Sequence, residues 1–141
     1  MVISANPTGV DMKGRTLSSW QPQALALMRV VVGFIFSQHG LQKLMGFFGG
    51  HQADAFTLIW TAGLLETVGG ILVMVGLFTR PAAFVLSGEM AVAYFKQHAP
   101  GGFWPILNHG ELAVLYCFVY LYLVAAGGGQ WSLDVLCRRR D

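Results

Sequence analysis

The chain has 141 residues, of which 55% are hydrophobic and 11% charged, with a net charge of +2 and a mean hydropathy of +0.56. A soluble domain carries about 25% charged residues, so this composition excludes an ordinary soluble enzyme and points to a membrane protein. A charge of +2 gives no nucleic-acid footprint, and two cysteines without a CxxC exclude thioredoxin-type redox chemistry.

Residues 1–22 are polar, with Asn6-Pro7 and Thr8-Gly9 and no apolar core, so they read as a short cytoplasmic or interfacial tail and not as a signal peptide. Trp20 and Pro22 mark the membrane entry. The first apolar run, about 24–44, matches the roughly 20 residues that span a hydrocarbon core. It carries Arg29 and Gly33 and ends in His39-Gly40 with Lys43, the His and Lys four residues apart and so on one helical face.

The second run, about 55–78, holds Glu66 near its middle, flanked by Gly63, Gly69 and Gly70. Small residues beside a carboxylate suit a glutamate turned toward a closely packed neighbour. Thr79-Arg80-Pro81 reads as a very short turn, which makes the second and third helices an antiparallel hairpin. The third run, about 82–97, is short and places Glu89, Ala93 and Lys96 on one face. The breakers and aromatics from Ala99 to Pro105 read as an interfacial cap. The fourth run, about 106–126, begins with His109-Gly110-Glu111, carries Tyr116, Tyr120 and Tyr122, and ends at Gly127-Gly128-Gly129.

The expected fold is therefore all-α: an integral membrane four-helix bundle over residues 23–136, followed by a basic cytoplasmic tail at 137–141. Lys13, Arg15, Arg80 and Arg138 to Arg140 fall at one end, so the positive-inside rule puts both termini in the cytoplasm. Cys117 and Cys137 lie too far apart along the chain for a disulfide.

An ionisable group at mid-membrane costs roughly 2.5–3.5 kcal/mol on insertion scales, so each one here needs a reason. Arg29, Glu66, Glu89, Lys96 and Glu111 form the expected intramembrane charge network. Arg29 is expected to meet Glu89 from the inner side, and Lys43 to meet Glu111 or Glu66 from the outer side. Such a network either fixes helix register or lines a site for a small polar or redox ligand. His39, Lys43, Glu66, His109 and Glu111 are the ligand-binding candidates. His39, His109 and Glu111 are also the weak candidates for a metal, but no HExxH or CxxCH motif accompanies them, so no metal is assigned. No catalytic residue is assigned.

Arg29 with Gly33, His39-Gly40 with Lys43, and Glu66 with Gly69-Gly70 resemble the DoxX family of small four-helix membrane proteins. Gly76-Leu77-Phe78-Thr79-Arg80 with Ala82-Ala83, Met90 with Ala93, Gly110-Glu111, and Ser132-Leu133-Asp134 are similar to its later landmarks. The resemblance covers about residues 24–136. It implies a multi-pass protein of a bacterial-type inner membrane, acting as a subunit of a quinone-linked oxidoreductase or other membrane redox complex. In that role it supplies an anchor and part of a quinone pocket, and a partner subunit carries the redox centre. The family's namesake is similar to a membrane subunit of an oxidoreductase acting on thiosulfate, and other members are associated with oxidative-stress defence. The alternatives are a non-catalytic scaffold or assembly protein with a structural charged core, and a small carrier built as a homo-oligomer.

Overall fold

Proline and glycine set the ends of the first helix. In the computed structural model, which describes residues 18–138, α1 runs over Gln21–Met45. Pro22 sits in its first turn, where an N–H would have no helical partner. Gly46 closes it in the left-handed conformation (φ 70°), donating its N–H to the Gln42 carbonyl. A single 3₁₀ turn follows at Phe47–Gly49. The polar tail up to residue 17, with Lys13 and Arg15, lies outside the described residues, as do Arg139, Arg140 and Asp141.

The second helix, α2, spans Leu58–Val75; the Thr57 hydroxyl caps it by accepting from the Trp60 N–H, and Gly76 (φ 72°) ends it. Next comes α3 at Thr79–Ala93, whose helical path continues through a wider π-type turn at Tyr94–His98 and a 3₁₀ turn at Ala99–Gly101. A four-residue helix, α4 (Pro105–Asn108), precedes α5 (Glu111–Ala126), and α6 (Leu133–Arg138) closes the described chain. Among the described residues all regular structure is helical, in six helices and no strand.

Two boundaries differ from expectation. Thr79-Arg80-Pro81 is the first turn of α3, not a free turn. Pro81 is tolerated there because that turn lacks helical acceptors for its N–H groups. The Asp134 carboxylate instead takes two of these donors, accepting from Phe78 N at 2.8 Å and Thr79 N at 3.0 Å. The fourth apolar run breaks at His109 (φ 58°), so 105–108 is a separate helix.

The helices pack as two tight pairs, α1 with α2 and α3 with α5. Glycine makes the first pair possible. A Cβ at Gly33 would lie 2.6 Å from the Gly70 carbonyl oxygen, and one at Gly40 would lie 2.4 Å from Thr67 N. The backbones therefore touch directly, as small residues permit between apolar helices. Phe36, Val73, Leu86, Tyr120 and Leu123 fill the centre between the pairs. Outside, Phe34, Ile59, Phe84, Val92 and Phe118 are exposed on the helix flanks. Helices α1 and α2 are each long and apolar enough to cross a membrane, and α5 is a shorter apolar helix. The hairpin of α2 and α3 is present, as expected, closed at Gly76 to Phe78.

Candidate functional site: a cavity between the helix pairs

Two polar centres lie in the apolar frame, and they do different things. The first is Arg29, only 1% exposed. Its guanidinium donates to four carbonyls: Val73 at 2.7 Å, Met74 at 2.6 Å, Gly128 at 2.9 Å and Trp131 at 2.7 Å. Val73 and Met74 belong to the last turn of α2, where carbonyls lack their i+4 helical donors, although Val73 also accepts from the Gly76 N–H at 3.1 Å. Gly128 and Trp131 lie just beyond α5. One side chain thus ties α1 to the chain ends of two other helices.

The expected Arg29–Glu89 pair does not form. Arg29 sits level with the start of α3, whereas Glu89 lies ten residues further along it, roughly 15 Å by helical rise. The orphan carbonyls are nearer and satisfy the guanidinium. Around the same end, Arg80 donates to the Val124 carbonyl at 2.7 Å and the buried Ser132 hydroxyl to Gly129 at 2.7 Å.

The second centre is a cavity of about 550 Å³ at the other end, between the two helix pairs. Its inner wall is Phe36, His39 and Lys43 of α1 with Glu66 of α2. Glu89, Ala93 and Lys96 face them from α3 and its continuation, and Tyr116 from α5. Lys43 donates to both carboxylate oxygens of Glu66, each at 2.5 Å. Of the two partners expected for Lys43, Glu66 is the one that holds it. Gly63 makes the approach possible, because a Cβ there would lie 2.9 Å from the Lys43 Cβ. The Glu66 side chain is 3% exposed and that of Lys43 32%, so the ammonium reaches the carboxylate from the open side.

Glu89 is in a different condition. Both of its carboxylate oxygens are buried without a hydrogen-bond partner. The charges of Glu66 and Lys43 act on it, yet neither residue forms a hydrogen bond with it. The Tyr120 hydroxyl is likewise buried without a partner. Phe36, Tyr116 and Tyr120 form an aromatic column, with Tyr116 and Tyr120 stacked at 6.1 Å between ring centroids. His39 meets the Tyr116 ring edge-on at 6.5 Å.

Among the expected ligand-binding residues, the cavity therefore joins His39, Lys43 and Glu66. It does not include His109 or Glu111. The left-handed turn at His109 carries that side chain into the open, and Glu111 is exposed in the first turn of α5, where a carboxylate complements the helix dipole. The weak metal candidates His39, His109 and Glu111 are thus not brought together, and no metal-binding group of three His, Cys, Asp or Glu occurs among the described residues. Cys117 and Cys137 are both free, and the Cys117 carbonyl accepts from Ser87 at 2.9 Å, joining α5 to α3.

Four polar cavity residues were not among the expected site residues: Thr61, Gln97, His98 and Tyr116. Tyr116 carried a signal, since Ala113, Tyr116, Tyr120 and Leu123 repeat at helical spacing along one stripe of α5. Gln97 and His98 gave none, because the π-type turn that swings them toward the cavity has no marker in the residues themselves. His98 Nδ1 lies 3.1 Å from the Asn108 carbonyl, an acceptor only, so the proton is on that nitrogen.

Apolar helices with lipid-length spans, glycine-mediated packing and buried ionisable groups define a small helical membrane protein. The chain belongs to the DoxX family, whose model matches residues 24–99. An uncharacterized protein of Haemophilus influenzae is 46% identical over 125 residues, covering 84% of this chain and 93% of that protein. An uncharacterized membrane protein of Mycobacterium tuberculosis is 32% identical over 138 residues, covering 85% of each. A Bacillus subtilis protein named "Putative oxidoreductase CatD" is 31% identical over 116 residues, 77% of this chain and 82% of that one. No solved structure matches the chain.

Proposed function

We propose that this protein is the membrane subunit of a quinone-linked oxidoreductase or similar redox complex, and that its cavity is the quinone site. The observation that carries this reading is the cavity itself, about 550 Å³ with apolar walls and a few convergent polar groups. That is the size and character of a small-ligand site. A quinone is a flat apolar ring with two carbonyls, and when bound it supplies two-electron, two-proton chemistry. The residues present fit it: Phe36 and Tyr116 offer ring faces, and Lys43, Glu89 and the Tyr116 hydroxyl offer polar atoms. The Lys43–Glu66 pair holds one wall in place and keeps a charged donor at the cavity edge. The printed name of the Bacillus subtilis relative agrees with a redox role. The redox centre belongs to a partner subunit in this reading, because the chain carries no flavin motif or cluster ligand set.

The proposed topology has four spans: α1, α2, α3 with its continuation to Gly101, and α5. Residues 23–136 form one membrane domain in a bacterial-type inner membrane, with cytoplasmic tails at 1–22 and 137–141. Arg80 supports this orientation, since it lies at the same end as the first turn of α1 and α6. A cysteine placed at Gly101 is expected to react with an impermeant thiol reagent added from outside the inner membrane. Reaction only after the membrane is opened overturns the topology.

A second reading, a non-catalytic scaffold, is favoured by Arg29, whose four hydrogen bonds all go to backbone carbonyls. Native mass spectrometry of the complex, gently extracted from its own membrane, separates the two. A bound mass matching a quinone, or a copurifying redox subunit, is the expected result. A bare chain or homo-oligomer carrying only phospholipid overturns the oxidoreductase reading and leaves the scaffold or an oligomeric carrier.

A further inference from the structure

We infer that Glu89 is the polar anchor of a ligand site fed sideways from the bilayer, and that its carboxyl contacts the uncharged, hydrogen-bonding head of an amphiphile. This rests on reading the cavity as a ligand site, but not on the ligand being a quinone.

Three observations meet here. The first is the Glu89 carboxyl, which lines the cavity with both oxygens buried and unpartnered. A buried polar group left without a hydrogen bond costs roughly 1–3 kcal/mol, and no hydrogen-bond donor of the protein offsets that cost here. A structural glutamate is held as Glu66 is held. Glu89 lines the cavity, and no protein donor holds its carboxyl there.

The second is charge. Two lysines line this space: Lys43, already bound through both Glu66 oxygens, and Lys96, exposed at its outer end. An anionic head would compete with Glu66 and bring a third negative group beside two carboxylates. A cationic head would favour Glu89 but have to cross apolar walls. An uncharged head with a hydroxyl or carbonyl meets neither objection.

The third is access. The cavity's α2 and α3 rims are Leu58, Ile59, Leu65, Val85 and Val92, all exposed and apolar. These helices join at Gly76 to Phe78 but pack less closely with each other than within the pairs α1–α2 and α3–α5. The seam between them is mainly apolar, with Thr61 of α2 as an uncharged polar exception. Lys96 stands exposed at its outer end. An apolar tail can lie along this seam while the head reaches Glu89.

The test is labelling of the whole protein in lipid nanodiscs with dicyclohexylcarbodiimide, an apolar reagent that enters from the hydrocarbon. A carboxyl adds across its N=C bond and the acyl group then shifts to nitrogen, giving an N-acylurea of added mass with nothing leaving. Peptide masses locate the adduct, and E89Q confirms the assignment by losing it. Labelling is expected at Glu89 and not at Glu66, which Lys43 holds. Decylubiquinone is expected to slow it at least fivefold, supporting both this inference and the quinone reading. If decylubiquinone has no effect but the uncharged lipid monoolein slows labelling, Glu89 is the anchor and the quinone reading falls. If decylubiquinone quenches tryptophan fluorescence saturably while Glu89 labelling is unchanged, the quinone reading stands and this inference falls. No adduct at Glu89, or an adduct that neither amphiphile slows, also overturns it.

Discussion

Lys43 and Glu66 join α1 to α2 through a two-oxygen ion pair at the inner wall of the cavity. The pair is asymmetric, a carboxylate almost fully buried and an ammonium one-third open. Removing the cation strands a buried charge, whereas removing both does not. Lys43→Met is therefore expected to destabilise the protein by about 3 kcal/mol, and the double variant Lys43→Met with Glu66→Met to recover at least half of that. Thermal unfolding in detergent checks it. Equal stability of Lys43→Met and the native chain would show that the pair contributes nothing.

Arg29 is a different kind of intramembrane charge, because geometry and not charge alone holds it. Its planar fork reaches four carbonyls on two separate stretches of chain. A lysine keeps the charge but has a single nitrogen, which cannot reach them all. Arg29→Lys should lower stability by about 2 kcal/mol, as one or two carbonyls lose their donor. The measurement is the unfolding midpoint, with Arg29→Ala expected lower still. A midpoint for Arg29→Lys equal to the native value would mean that the charge suffices.

Glycines here divide by what a methyl group would meet. At Gly33 it would lie 2.6 Å from both Gly70 O and Met74 N, which are backbone and cannot rotate away. At Gly88 it would meet nothing within 4 Å. Gly33→Ala should therefore cost at least about 2 kcal/mol by forcing α1 from α2. Gly88→Ala should stabilise α3 by about 0.5–1 kcal/mol through helix propensity. Paired melting curves decide it, and a destabilised Gly88→Ala would mean that this exposed face is covered by another chain.

Asp134 caps α3 from across the chain, a role usually filled by the residue just before a helix. Phe78 holds that position in the left-handed conformation (φ 49°) and has no side-chain acceptor to offer. Asp134→Ala should cost about 1 kcal/mol and raise hydrogen exchange at the Phe78 and Thr79 amides, with Asp134→Asn intermediate. Unchanged exchange at both amides would show that the cap is dispensable.

The residues by themselves determined the class of protein and much of its frame. Few charges, long apolar runs and glycine breaks require helices in a membrane, because a bilayer supplies no partners for open backbone. The position of Glu66 among Gly63, Gly69 and Gly70 likewise announced a closely packed neighbour, since only a missing side chain permits one, and the structure supplies α1 at Gly63 and Gly70. What spacing could not supply was the partner of each charge. Arg29 turned to carbonyls and not to Glu89, because helix ends leave acceptors that no residue pattern displays. His109 and Glu111 left the site because one left-handed residue turned the chain between α4 and α5. Glu89 became the unpaired group only once α1, α2 and α3 were placed together. Hydrophobic periodicity is local and legible along the chain, whereas a buried polar atom is satisfied or orphaned by neighbours tens of residues away, and only the tertiary structure decides which.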